Sequence, residues 1–270
     1  MGGRIAAATL AVLGLAVLLV PLLIPVDQQL VDLRAAGLPP SLAHPLGTDE
    51  VGRDVLLRCV YGLRVSFLVG LVAALVSMVI GGLVGVLAGS FGGLPDRLLM
   101  RVVDGFSSLP HLLFGIFIVA MFAPSATAVV VSVGVTHWTT AARIVRSEVL
   151  SLRGRPFIEA AVSGGASRAR VMRRHLFPHL LPHLLLATVL MVPHAIWHET
   201  ALSFLGLGLP PHLASLGNMI NDGQRSLLAG DWWSSLAPGL FILAPTLAVS
   251  VLSQRWRDRL NPRMRSELAL

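Results

Sequence analysis

The chain contains 270 residues, of which 54% are hydrophobic and only 13% are charged, against about 25% charged residues in an ordinary soluble domain. This composition excludes a water-soluble enzyme and indicates a membrane protein. The net charge of +7 comes from arginine alone, because the chain has no lysine. That absence excludes a Gly-Lys-Ser/Thr phosphate loop and lysine Schiff-base chemistry, and the single Cys59 excludes an internal disulfide.

Six stretches are long and apolar enough to span a bilayer, which takes about 20 residues in a helix. In chain order they cover residues 5–24, 65–90, 106–123, 126–145, 181–206 and 236–252. The first resembles a signal peptide in position. Its length, its Pro21 and the lack of a small-residue cleavage pattern before Asp27 favour an uncleaved helix instead.

These spans predict an all-α polytopic membrane protein with six transmembrane helices and one transmembrane domain over residues 1–270. Its predicted parts are a first helix 1–25, a periplasmic loop 26–64, a five-helix core 65–254 that includes a cytoplasmic loop 147–180, and a cytoplasmic tail 255–270. The second span carries Gly81, Gly85 and Gly89 on one helix face, which favours close helix packing within the bundle or against a partner.

The distribution of arginine predicts the orientation of the chain. With the N-terminus inside, the cytoplasmic segments carry 16 arginines and the outer segments carry five. This asymmetry is typical of positive-inside topology, so both termini and the 147–180 loop are predicted to face the cytoplasm. Because the arginines stand beside apolar spans rather than in a basic domain, we expect lipid and not nucleic acid around them.

Five residues of the cytoplasmic loop have a recognisable spacing: Glu159, Ala160, Ala161, Gly165 and Pro178. An acidic residue shortly after Pro156 favours a helix start, and a glycine pair ending at Gly165 permits a break. The spacing resembles the EAA loop of permease subunits of binding-protein-dependent ABC importers, with Phe177 in place of the usual leucine. In that family the loop forms two short helices and docks on the ATPase subunit, which implies a coupling role here. The alternative is a solvated loop whose arginines only anchor the topology.

A second motif lies before the second span and consists of Gly47, Thr48, Asp49, Gly52, Arg53 and Asp54. It resembles the periplasmic Gly-Thr-Asp-x-x-Gly-Arg-Asp signature of the peptide/nickel branch of these permeases. Two roles stay open for it, a cap on the mouth of the bundle or a contact with a solute-binding protein. Further matching segments extend the resemblance over about residues 44–263.

The resemblance implies the type I ABC importer permease fold and a bacterial plasma (inner) membrane location. It also implies four kinds of partner: a second related permease subunit, two cytoplasmic ATP-binding subunits, an extracytoplasmic solute-binding protein and membrane lipid. ATP and Mg would be used by the ATPase subunits. This chain would bind no cofactor and would not be an enzyme.

The fifth span carries three polar residues of interest. His194 and His198 are four residues apart and share a helix face, and Glu199 is the acid that lies most clearly inside an apolar run. Such residues usually face a bundle interior or a pathway, and imidazole is a suitable nickel ligand. Two readings stay open: the three side chains line the pathway, or they stabilise helix packing. No metal site is firmly assigned.

The branch that the chain resembles carries mostly di- and oligopeptides, with nickel or nickel chelates as a minority. The sequence therefore predicts import of di- or oligopeptides, with nickel import as the alternative. A remote alternative is an intramembrane hydrolase, since His198-Glu199 begins a zinc-protease motif. Leu202 occupies the second ligand position of that motif, however, which argues against a catalytic zinc.

Overall fold

The computed structural model of the protein describes residues 2–25 and 30–260, and most of them are helical. The described helices are α1 (Gly2–Leu23), α2 (Val55–Phe91), α3 (Gly93–Ser107), α4 (His111–Ala120), α5 (Ala126–Arg153), α6 (Pro156–Ser163), α7 (Arg168–Val171), α8 (Phe177–Phe204), α9 (Leu216–Ser226) and α10 (Trp233–Leu260). Within these ranges the only β pairing is an isolated bridge between Thr48 and Asp54. The predicted all-α class is confirmed. Residues 26–29 of the predicted periplasmic loop, with Asp27, and residues 261–270 of the predicted tail lie outside the described ranges.

The predicted spans all have helical counterparts. Five segments are long and apolar enough to cross a membrane: Gly2–Leu23, Val55–Phe91, Ala126–Arg153, Ala169–Phe204 and Trp233–Trp256. The sixth counterpart is the pair α3 and α4, which is bent by 80°. The second span begins ten residues earlier than the predicted residue 65, because the segment after the periplasmic motif is already the first part of α2.

The bend replaces the straight third span that hydropathy placed at residues 106–123. Helix α3 ends at Ser107, and Pro110 has an extended ψ of 117°. Proline has no backbone N–H and disfavours the helical conformation in the residue before it, so Leu109 and Pro110 separate two helices. The ten residues of α4 extend over only about 15 Å, half of the hydrocarbon thickness.

The described residues form two compact units, the first within Met1–Gly70, Phe122–Val129 and Pro193–Leu270 and the second within Leu71–Met121 and Val130–Val192. The core of the first unit joins the start of α2 to α9 and α10, and α1 packs along α10. Its fully or largely buried members are Val55, Cys59, Leu63, Leu216, Met219, Trp233, Ala237 and Ile242.

The core of the second unit joins α2, α5, α6 and the start of α8, and its members include Met78, Val145, Val149, Ile158, Leu176 and Leu180. The glycine face of α2 packs within this unit. A Cβ added at Gly85 would lie 2.8 Å from Cβ of Val145, and one added at Gly89 would lie 2.8 Å from Cβ of Val149. The glycines therefore let α2 and α5 approach closely. Of the two roles predicted for this glycine face, the contacts correspond to packing within the chain rather than against a partner.

Candidate functional site

Helix α6 carries the first part of the predicted coupling motif. It begins after Arg155, which is extended, with Pro156 in the first helical position and Glu159 in the first turn. A proline at this position is pre-set for the helix, and a carboxylate there is favoured by the helix dipole. The local sequence thus accounts for where α6 begins.

The end of α6 is a Schellman motif built on Gly165. The N–H of Gly165 donates to the carbonyl of Val162 at 3.0 Å, and the N–H of Ala166 donates to the carbonyl of Ala161 at 3.0 Å. These are the two hydrogen bonds of the motif, which requires a left-handed residue between helix and exit. Gly165 has φ of +80°, and glycine adopts this conformation without steric cost.

One face of α6 is anchored and the other is open. Ile158 is buried in the core of the second unit and Ala161 is half-buried against the same core. Glu159, Ala160 and Gly165 are exposed, and a Cβ at Gly165 would meet no atom within 4 Å. The motif residues therefore divide into an anchor side and a surface that another protein can reach.

The second half of the loop differs from the expected pair of short helices. Helix α7, a π turn over Met172–Leu176 and α8 follow one another without a break, so the segment Ala169–Phe204 is one continuous helical rod. In the π turn the N–H of Phe177 donates to the carbonyl of Met172. The next residue, Pro178, has no N–H and would crowd the carbonyl four residues before it in an α-helix. The π turn relieves that conflict at the point where the loop joins α8.

Aromatic contacts attach α6 to this rod. The ring of Phe157 stacks on His179 with centroids 5.0 Å apart, and it lies 6.4 Å from the ring of His175. Arg173, Arg174 and Pro178 are exposed on the same segment. These rings and the buried Ile158 therefore connect α6 to the start of α8.

Thr48 and Asp49 of the periplasmic motif are turned into the first unit. The hydroxyl of Thr48 donates to the carbonyl of Ala35 at 2.5 Å and accepts the N–H of Leu38 at 2.8 Å. Its own carbonyl accepts the indole N–H of Trp233 at 2.9 Å. Thr48 is fully buried and Asp49 is 5% exposed. These two residues connect the loop before α2 to the first turn of α10.

The side chain of Asp49 is the shared acceptor of two arginines, Arg53 of the motif and Arg58 at the start of α2. Its Oδ2 accepts Nε of Arg53 at 2.8 Å and Nη1 of the buried Arg58 at 2.5 Å, and its Oδ1 accepts the backbone N–H of Arg53 at 2.9 Å. Arg58 is 4% exposed, and Nη2 of its guanidinium stands 4.0 Å from Oδ2 of Asp222 on α9. Burial raises the pKa of the Asp222 carboxyl, against the opposing effect of Arg58.

The other motif residues set the backbone of this turn. Gly47 and Gly52 have φ of +72° and +82°, and a Cβ at Gly52 would collide with the carbonyl of Asp32. Asp54 accepts the N–H of Leu57 at 2.9 Å in the first turn of α2, and its other oxygen lies 2.9 Å from Nδ1 of His44. The whole motif is therefore a turn that begins α2.

The predicted trio on α8 is divided by the structure. The rings of His194 and His198 lie together with centroids 5.2 Å apart, His194 exposed and His198 half-buried. Glu199 points elsewhere and is fully buried. Its two oxygens accept the hydroxyl of Ser66 at 2.6 Å and the hydroxyl of Ser203 at 2.8 Å. Glu199 thus ties α8 to α2, apart from the histidine pair.

Sequence reasoning assigned no structural role to the residues that hold the segment after α8. The hydroxyl of Ser203 accepts the N–H of Leu209 at 3.1 Å. Nδ2 of Asn218, on α9, reaches the carbonyl of Pro210 at 3.0 Å, and Asn221 donates to the carbonyl of Phe204. A cluster of small polar residues at the end of an apolar span could have indicated these hydrogen bonds. Hydropathy alone predicts only a loop there.

Comparison with known proteins gives consistent results. The profile of the family described as "Binding-protein-dependent transport system inner membrane component" matches residues 81–266. The chain is 39% identical to the dipeptide transport system permease protein DppC of Bacillus subtilis (strain 168) over 87% of this chain and 73% of that protein. It is 35% identical to the nickel transport system permease protein NikC of Escherichia coli (strain K12) over 98% of this chain and 96% of that protein. Among solved structures, an inward-facing MetNI methionine ABC transporter matches with a TM-score of 0.60 and 20% identity, over 74% of this chain and 94% of that chain.

Proposed function

The chain belongs to the family of binding-protein-dependent transport system inner membrane components and is an ABC importer permease, and from that premise we propose that it forms half of a translocation pathway for di- or oligopeptides. The other half comes from a second, related permease subunit. Two cytoplasmic ATP-binding subunits, which use ATP and Mg, and an extracytoplasmic solute-binding protein complete the importer. The chain itself carries out no chemical reaction and binds no cofactor.

The observation that carries the proposal is the division of α6 into an anchored and an open face. Ile158 and Phe157 attach the helix to the base of α8, while Glu159, Ala160 and Gly165 stay exposed. An ATPase subunit that holds the exposed face can pull on the anchored one. The motion reaches α8 directly, because α7, the π turn and α8 form one rod.

The proposed cycle follows from that connection. Closure of the ATPase dimer on ATP displaces α6 and swings α5 and α8, so that the pathway opens to the outside and accepts solute from the docked binding protein. Hydrolysis resets the dimer, and the solute leaves to the cytoplasm. In this scheme both termini and α6 lie in the cytoplasm, and the excess of arginine on these segments supports that orientation.

The periplasmic motif serves in this scheme as a cap rather than as a docking surface. The support is that Thr48 and Asp49 are buried and use their polar atoms within the chain. Glu199 likewise has a structural role within the first unit. Its hydrogen bonds with Ser66 and Ser203 support a role in helix packing rather than in the pathway.

Nickel import is the second candidate, and the histidine pair on α8 favours it. Two imidazoles whose rings lie 5.2 Å apart on one helix face offer the ligand type that nickel prefers, and one relative is named as a nickel permease. The intramembrane hydrolase is not proposed, because the position of a second zinc ligand is held by Leu202, a fully buried aliphatic residue.

Uptake measurements separate the two cargoes. Cells with and without the gene are given labelled dipeptide and, in parallel, radioactive nickel at nanomolar concentration. We expect loss of the gene to abolish dipeptide uptake and to leave nickel uptake unchanged. Loss of nickel uptake alone would replace the peptide proposal by the nickel one, and no change in either would refute both cargoes.

A further inference from the structure

Helix α3 has three different faces. Its inner face holds Val103, which is fully buried against Trp138 and Ala142 of α5. A second face is apolar and uncovered, with Leu94, Leu98 and Val102 exposed by 68%, 55% and 52%. These three residues are spaced by four and share one side of the helix.

The third face is positively charged. Arg97 and Arg101, again four apart, are both exposed and lie beside the apolar face. The acidic residues of α3 are already engaged: Asp96 accepts two hydrogen bonds from Arg146 at 2.5 and 2.7 Å, and Asp104 accepts one from Arg143 at 2.8 Å. Neither Arg97 nor Arg101 forms an ion pair with any residue in the described part of the chain. The surface therefore offers two cations next to an apolar stripe.

The contact of Asp96 with Arg146 places the start of α3 at a membrane boundary, and the contact of Asp104 with Arg143 lies less than one helical turn of α5 deeper. Arg143 and Arg146 are 17 and 20 residues after Ala126, the first residue of α5. At about 1.5 Å per residue that is roughly 26–30 Å along the helix, the thickness of the hydrocarbon layer. The first half of α3 is thus at the depth of the lipid headgroups, on the side of the membrane where α6 lies.

The far end of α3 enters the layer obliquely. Phe106 contacts Trp138, with ring centroids 5.5 Å apart, and Trp138 lies closer to the middle of α5 than Arg143 does. Beyond the 80° bend, α4 runs antiparallel to α5, since His111 bonds to Thr136 at 3.0 Å and Gly115 accepts Ser132 at 3.0 Å. The start of α3 therefore lies at the boundary, and its last residues, with Phe106, lie deeper in the layer.

We propose that residues 93–102 bind anionic phospholipid, with Leu94, Leu98 and Val102 among the acyl chains and Arg97 and Arg101 on the headgroup phosphate. An amphipathic helix at a membrane boundary, with arginines beside its apolar face, has the composition that anionic lipid surfaces attract. A protein partner on the same face would have to supply acids for two arginines, whereas an anionic leaflet supplies phosphate wherever the helix meets it.

The first test measures lipid retention. The full-length protein, purified from membranes with its associated subunits, is equilibrated with mixed micelles of phosphatidylglycerol and phosphatidylcholine, and the lipids retained are counted by native mass spectrometry. Arg97→Gln/Arg101→Gln should lower the preference for phosphatidylglycerol about 25-fold, since each arginine near an anionic surface contributes roughly fivefold. Arg97→Lys/Arg101→Lys keeps the charge and should keep most of the preference.

The matched control is Arg34→Gln/Arg225→Gln, which removes two exposed arginines elsewhere and should change the preference less than twofold. An unchanged preference in Arg97→Gln/Arg101→Gln, or an equal loss in the control, would overturn the proposal. The measurement does not depend on which cargo the importer carries.

A second test asks what covers the apolar face. A spin label at Leu98→Cys is specific, because the native Cys59 is fully buried. In vesicles of phosphatidylcholine with 30% phosphatidylglycerol, the label should be accessible to oxygen in the acyl layer and shielded from a water-soluble relaxation agent. A label shielded from both agents would show that a protein subunit covers α3 and would refute lipid binding there.

Discussion

Ser66 donates a hydrogen bond of 2.6 Å to Glu199 across 133 positions of the sequence and so ties α2 to α8. The second oxygen of the same carboxyl group accepts Ser203, whose hydroxyl also accepts the N–H of Leu209. A fully buried acid with these partners fixes the end of α8 and the segment that follows it. The arrangement has measurable consequences for stability.

Glu199→Leu should destabilise the protein strongly. The substitution leaves the buried hydroxyls of Ser66 and Ser203 without their acceptor, at a cost of about 1–3 kcal/mol for each unsatisfied group. We expect the midpoint of thermal unfolding in detergent to fall by several degrees, and Glu199→Gln, which retains an acceptor, to cause a smaller fall. Glu50→Gln, at an exposed position, is the control and should not shift the midpoint. Equal midpoints for Glu199→Leu and wild type would contradict the structural role.

Loss of the Asp49 charge in the periplasmic motif should also destabilise the protein. Asp49→Asn removes the charge that Arg53 and the buried Arg58 share. Removing one partner of a buried ion pair costs about 3–5 kcal/mol, and Asp222, 4.0 Å from Arg58, offsets part of this cost. The protein should unfold at lower temperature and be degraded faster in the membrane, whether or not a binding protein is present. If Asp49→Asn were stable but failed only in binding-protein docking, the cap proposal would be wrong.

Helix positions were predictable from hydropathy, because a spanning helix needs about 20 apolar residues and the chain has few charges to blur the pattern. The beginning of α2 at Val55 and the break before α4 were not. A hydropathy average over a window of residues assigns the half-polar turn before Val55, and the first residues of α2, to a loop. The same average joins Phe106 to α4 across Pro110, although a proline at that position indicates a helix boundary.

The candidate site was predictable in part for a physical reason. Gly165 and Glu159 belong to a local turn whose hydrogen bonds link residues close in sequence, so spacing alone identifies them. The anchors of the same helix, Phe157 and Ile158, act through packing with distant residues and leave no local pattern. The structural role of Glu199 could not be predicted for the same reason. It depends on a hydrogen bond with Ser66, 133 positions away in the sequence.

Gly165 provides a test of coupling that separates surface from backbone. Gly165→Arg should abolish uptake while leaving membrane insertion intact, because it puts a bulky charge on the exposed face of α6 and strains a residue with φ of +80°. Gly165→Asn should keep most of the uptake, since asparagine tolerates this conformation and adds little volume.

Gly154→Arg is the matched control for that pair. Gly154 is also exposed, and a Cβ there would meet no atom within 4 Å, but it lies before α6 and needs no left-handed backbone. Uptake and solute-stimulated ATP hydrolysis are measured in vesicles for all three variants. Normal uptake by Gly165→Arg, or complete loss in Gly154→Arg, would remove the support for α6 as the coupling element.

A double variant of His194 and His198 tests whether α8 contributes ligands for nickel. If nickel is the cargo, His194→Ala/His198→Ala should lower nickel uptake at least tenfold, because two of the imidazoles available to the ion are removed. The control is His179→Ala/His183→Ala, which has the same spacing on the same helix but lies at its other end, where His179 stacks on Phe157. That control should impair the uptake of whichever cargo the importer carries, through coupling. Unchanged nickel uptake in the first variant, with dipeptide uptake intact, would make His194 and His198 packing residues of a peptide permease.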